Sequence, residues 1–77
     1  MTDAFEVGAS ARRLSAREVE CLCWAGRGKS STDIGVILGL SGRTVDSYLA
    51  KACAKLGVRT RIEAVALAVE RGLLAVE

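Results

Sequence analysis

Few side chains in this sequence can do covalent chemistry. It has no histidine, and the stretch Gly26-Arg27-Gly28-Lys29-Ser30 lacks the G-x-x-x-x-G-K-[ST] spacing of a phosphate-cradling loop. Gly28-Lys29-Ser30 reads instead as a helix stop, a solvated lysine and a cap. Cys21 and Cys23 point about 200° apart on a helix, a poor start for a metal site shared with Cys53, so the three thiols read as small hydrophobes of a core. Their odd number, in a short chain without export features, argues against a disulfide framework. No metal, no cofactor and no enzyme activity are expected. What remains is hydrogen bonding and charge. Arg43, Asp46, Ser47, Ala50, Lys51 and Ala54 recur on one side of a helix and are small or polar, which suits a helix lying close to a nucleic-acid groove.

Those residues need a support, and the run Ser31 to Leu56 supplies one. Ile34 and Leu38 are one turn apart on the inner side of a first helix, with Gly35 between them so that the next helix can approach without a Cβ in the way. Gly39 stops that helix in the left-handed region that glycine reaches without steric cost, and Leu40 turns into the bend. Ser41 caps a second helix near Arg43 and Thr44, in which Val45, Leu49, Ala52, Cys53 and Leu56 repeat at helical spacing. An ordinary helical hairpin shares the apolar periodicity. It does not require the small residue, the glycine stop, the single apolar turn residue and the cap in this order, and together these predict a helix-turn-helix.

Capping boxes place two further helices. Ser15-Ala16-Arg17-Glu18 opens one that carries Val19, Leu22, Cys23, Trp24 and Ala25 to a stop at Gly26 and Gly28, with Trp24 serving helix packing. Thr60-Arg61-Ile62-Glu63 opens another through Arg71 before Gly72. This last helix shows two apolar rows. Ile62, Val65, Ala66 and Val69 are expected in the core, and Ala64, Leu67, Ala68 and Arg71 on a second face where two copies could pair as a two-fold dimer. The expectation is therefore an all-α, compact four-helix domain over residues 14–77. Met1 to Arg13, which lacks periodicity, is expected to be a flexible lead-in.

Size and charge agree with a binding module. A chain of 77 residues is at most one domain and buries roughly 60% of its unfolded surface, leaving little room for an enzyme pocket. No segment reaches the roughly 18 apolar residues that span a bilayer, and the first residues lack the layout of a secretory signal, so a cytoplasmic place is expected. Net charge is only +2. Its distribution says more: Arg27, Lys29, Arg43, Lys51, Lys55, Arg59 and Arg61 face only Asp33 and Asp46 between positions 27 and 61, a local balance of +5 of the sign that phosphate attracts.

Three blocks, LSAREVECL at Leu14 to Leu22, GKSSTDIGVILGLSGRTV at Gly28 to Val45 and AKLGVRTRIEAVALAVERGLL at Ala54 to Leu74, resemble the LuxR-type, or GerE-like, DNA-binding domain. The run CWAGRGKSSTDIGVILGLS is most similar to its quorum-sensing branch. The resemblance implies a bacterial transcription regulator, or the output domain of one, with its third helix in the major groove and its fourth often making the dimer contact. It places Thr44 and Val45 at the start of the recognition helix, touching backbone, packing or meeting a base. It also exposes departures. Position 46, commonly a base-reading Lys or Arg, is Asp46; position 48, commonly His, is Tyr48; position 50, basic in several members, is Ala50.

A bidentate Arg or Lys contact with guanine is worth roughly 1–3 kcal/mol of discrimination, so their absence implies a weaker or redirected preference. Asp46 is expected to accept from cytosine N4, to cap the helix or to pair with Arg43. Ser47 reaches a base edge, Ala50 a thymine methyl, and Lys51, Lys55 and Arg61 hold phosphates, with Lys29 and Ser31 completing the expected contact set. Asp46 and Ala50 equally support another class of protein, a module with this fold that binds RNA polymerase or another regulator and has weak or no specific DNA binding. Region 4 of a sigma factor is related in motif, but the helix after Thr60 matches it less well.

Overall fold

The computed structural model describes residues 14–74, so the expected lead-in over Met1 to Arg13 lies outside the described residues. Four helices follow one another: α1 (Ala16–Gly26), α2 (Ser31–Leu38), α3 (Gly42–Leu56) and α4 (Arg61–Glu70). There is no strand among the described residues. The all-α, four-helix expectation holds, and each start is set by the capping residue that the sequence supplies.

Ser15 Oγ accepts from the Glu18 N–H at 3.1 Å while Glu18 Oε1 accepts from the Ser15 N–H at 2.9 Å, closing the first capping box. Ser30 Oγ accepts from the Asp33 N–H and Ser41 Oγ from the Thr44 N–H, at 3.1 and 3.0 Å. Thr60 and Glu63 close the second box. Each such cap satisfies donors that the helix itself leaves unpaired.

α3 packs against all three other helices. Val45, Leu49, Ala52 and Leu56 carry its inner side into a core completed by Cys21, Leu22, Ile34, Ala64, Ala68 and Leu74. Cys23 and Cys53 lie against that core, as does Trp24, with the Arg27 guanidinium 5.2 Å from its ring centroid. Burial, with Glu20 adding to it at Cys21, pushes the Cys21 and Cys53 thiols up, which keeps them protonated and unreactive.

The tightest constraint lies in the turn between α2 and α3. A Cβ on Gly35 would collide with the Leu40 carbonyl oxygen and come within 3.2 Å of the Ser41 carbonyl carbon. Gly39 follows at φ 73°, and the Leu40 N–H donates back to the Gly35 carbonyl at 2.7 Å. The missing side chain thus makes room for the turn backbone itself, and Leu40 packs inward against the core.

Two expectations need correction. Gly26 is the last residue of α1 rather than part of its stop; Gly28, at φ 85°, makes the turn. A Cβ on Gly26 would lie 3.0 Å from Val65 Cγ1, so its smallness serves the contact with α4. The rows of α4 divide differently from expectation: Ala64 and Ala68 are fully buried and Val65 packs against the core, whereas Ile62 is 78% and Val69 37% exposed. α4 lies against both α1 and α3, and small side chains four residues apart let its backbone come close to them. The expected dimer row of Ala64, Leu67, Ala68 and Arg71 is not a surface, since Leu67 packs against the core and only Arg71 is exposed.

Candidate nucleic-acid interface

The turn props α3 so that its inner side fills the core and its other side is uncovered. Arg43, Asp46, Ser47, Ala50, Lys51 and Ala54 are all exposed, the face expected from periodicity. Lys29 is exposed at the entry to α2, and Ser31 is half-buried at its first position. Thr44 and Tyr48 are half-buried; Lys51 Nζ lies 5.9 Å from the Tyr48 ring centroid. Val45 has no exposed surface. It was expected to pack or meet a base, and the structure leaves it only the packing role.

Lys55 also departs from its expected place. Its ammonium donates to both carboxylate oxygens of Glu18, at 2.8 and 3.2 Å, and the Glu18 side chain is only 3% exposed. A lysine so engaged steadies α3 against α1 rather than waiting for a phosphate. Burial pushes the Glu18 carboxyl upward, but the Lys55 ammonium and the Ser15 N–H outweigh it, and the net shift is below its ordinary value. The capping glutamate of α1 therefore does a second task that its local sequence does not announce.

Asp46 sits in a cluster that joins three helices. Its Oδ1 accepts from the Ser31 hydroxyl and from Arg61 Nη2, the latter at 3.1 Å, and Arg61 Nη2 also donates to Ser31 Oγ at 2.9 Å. The first residues of α2 and α4 thereby converge on the second turn of α3. This replaces the expected Asp46–Arg43 pair and engages Arg61. Neither local propensity nor spacing could have found it, because 15 residues separate Asp46 from Ser31 and from Arg61 and the tertiary crossing brings them together. The side chains are 39% exposed at Arg61 and 61% at Asp46, so the pair contributes only about 0–1 kcal/mol to stability.

The positive character expected of this side is thus partly spent within the molecule. Lys55 answers Glu18 and Arg61 answers Asp46, while Lys29, Arg43 and Lys51 stay exposed around the outer face of α3. Hydrogen-bonding side chains and cations lie along one helix, and no metal-holding group of three His, Cys, Asp or Glu residues occurs among the described residues.

A helix-turn-helix with its second helix uncovered defines a class of DNA-binding domain. Residues 12–68 match the family model described as bacterial regulatory proteins, luxR family, and the chain belongs to that family. It is 46% identical over 61 residues to the transcriptional activator protein LuxR of Aliivibrio fischeri, covering 79% of this chain and 24% of that protein. Identity to the transcriptional activator protein VanR of Vibrio anguillarum is 44% over 61 residues, covering 79% of this chain and 25% of the relative. The transcriptional activator protein AhyR of Aeromonas hydrophila is 44% identical over 61 residues, 79% of this chain and 24% of its own. The chain therefore spans about a quarter of the length of these relatives.

Proposed function

We propose that this chain is the DNA-binding part of a bacterial transcription regulator, working in the cytoplasm, that lays α3 in the major groove. The observation that carries this reading is the uncovered polar face of α3, held outward by a turn whose geometry excludes any side chain at Gly35. Arg43 and Ser47 reach base edges, Ala50 meets a thymine methyl, and Lys29, Thr44 and Lys51 contact the phosphate backbone. The names of the relatives make activation the first expectation for its effect on transcription.

The dimer belongs to the proposal on a different face from the one expected. Ile62, Ala66 and Val69 are exposed on the outer side of α4, and Ile62, Val65 and Ala66 line a largely apolar groove with Ala25, Gly26 and Arg61. A second copy packing there by a two-fold axis would present two α3 helices to two half-sites. Selection of bound duplexes from a random pool tests the whole reading. An enriched, two-fold symmetric sequence bound in a salt-sensitive way is the expected result; no enrichment and no binding at low salt would sink it.

A further inference from the structure

The Ser31–Asp46–Arg61 cluster gives Asp46 a role that is neither base reading nor capping. We infer that Asp46 is an internal counter-ion that occupies Arg61 as a phosphate would, and so lowers the sequence-independent attraction of this chain to DNA. The inference rests on the DNA-binding reading above.

Oδ1 of Asp46 takes both the Ser31 hydroxyl and Arg61 Nη2, which is the kind of charge-assisted arrangement an Arg and a hydroxyl make with a phosphate oxygen. The Ser31 hydroxyl touches both charged partners, so it tethers Arg61 to the carboxylate from a third element. Arg61 is the first residue of α4, where the positive end of the helix disfavours a cation, and the carboxylate offsets this. The result is a charge pair of zero net charge beside the exposed face of α3, at a place where a lone guanidinium would add one phosphate contact.

That neutrality has a thermodynamic reading. Each phosphate neutralised by a protein cation releases counter-ions and steepens the salt dependence of binding by about 0.9. An arginine already neutralised by its own chain adds little to this term, so binding to every duplex is weakened by about the same factor while contacts to base edges are untouched.

Asp46→Asn keeps the shape and removes the charge. The full chain, titrated with a selected duplex and a scrambled one at about 50 and 200 mM salt, should show tighter binding to both duplexes by a similar factor, on the order of tenfold at the lower salt, and a salt slope steeper by about 0.9 per protomer. The bases selected from a random pool should not change. In Asp46→Asn combined with Arg61→Gln the gain should disappear. A gain that persists without Arg61 would show that Asp46 acts by direct repulsion and overturn the inference. So would weaker binding by Asp46→Asn, which would make Asp46 a support for a DNA-bound Arg61, or an altered base at one position of each half-site, which would make it a reader. Absence of salt-sensitive binding by the unmodified chain would remove the DNA-binding reading itself, and this inference with it. Should the Asn variant lose its helical circular dichroism, Asp46→Ser supplies the same comparison.

Discussion

Single side chains on α3 divide into those that look outward and those tied to the rest of the molecule. Lys51 and Ser47 are exposed, and in the proposed function they make two different kinds of DNA contact. Lys51→Ala should weaken binding to all duplexes about equally and reduce the salt slope by about one unit, whereas Ser47→Ala should leave the slope unchanged and alter the selected bases; titration at two salt concentrations and pool selection read the two effects. Lys55 belongs to the other kind. Lys55→Ala strands the buried Glu18 carboxylate and should cost about 2 kcal/mol in urea denaturation, less than the 3–5 kcal/mol of a fully buried pair because Lys55 is partly exposed. The same carboxyl makes stability depend on pH. Its folded pKa is depressed below the ordinary 4.5, so its contribution is present above that value and is lost as pH falls through the folded pKa. The stability gap between the parent and Lys55→Ala in urea denaturation should therefore narrow as pH falls below 4.5.

At the scale of the elements, the turn between α2 and α3 determines how the recognition face is presented. Gly35→Ala forces a methyl group against the Leu40 carbonyl, a backbone atom that cannot rotate away. The expected cost is about 2–3 kcal/mol, seen as a lower thermal midpoint, with DNA affinity falling further than stability alone explains because α3 is tilted. The helix boundaries near this turn were legible in sequence because each depends on neighbours three or four residues apart: Ser30 with Asp33, Ser41 with Thr44, Thr60 with Glu63. The inward row of α4 was not. Both rows are apolar at helical spacing, and hydrophobicity alone favours Ile62 and Val69 over Ala64 and Ala68 for the core. The choice fell to distance between backbones, since alanines permit the close contact with α1 and α3 that larger side chains would prevent.

For the whole molecule, the exposed side of α4 decides how two copies could meet. Ile62→Glu places a charge at the N-terminal end of that side without touching the core, because Ile62 is 78% exposed. It should leave the unfolding free energy of the monomer within about 0.5 kcal/mol of the parent, abolish dimers in sedimentation, and weaken binding to a duplex with two half-sites far more than to one with a single half-site. Ala64→Glu, by contrast, buries an unpaired charge in the core and should unfold the domain.

Local chemistry along the chain was enough to specify four helices, their caps, the turn around Gly35 and Gly39, the outer face of α3 and membership of the family, since all of these depend on residue types at short, fixed spacing. The inward side of α4, the burial of Val45, the capture of Lys55 by Glu18 and the Ser31–Asp46–Arg61 cluster followed only from the packing of the helices on one another. Those contacts join residues 15 to 37 positions apart, and which partners meet across such distances is set by how closely helices approach and cross, a property that no local pattern encodes.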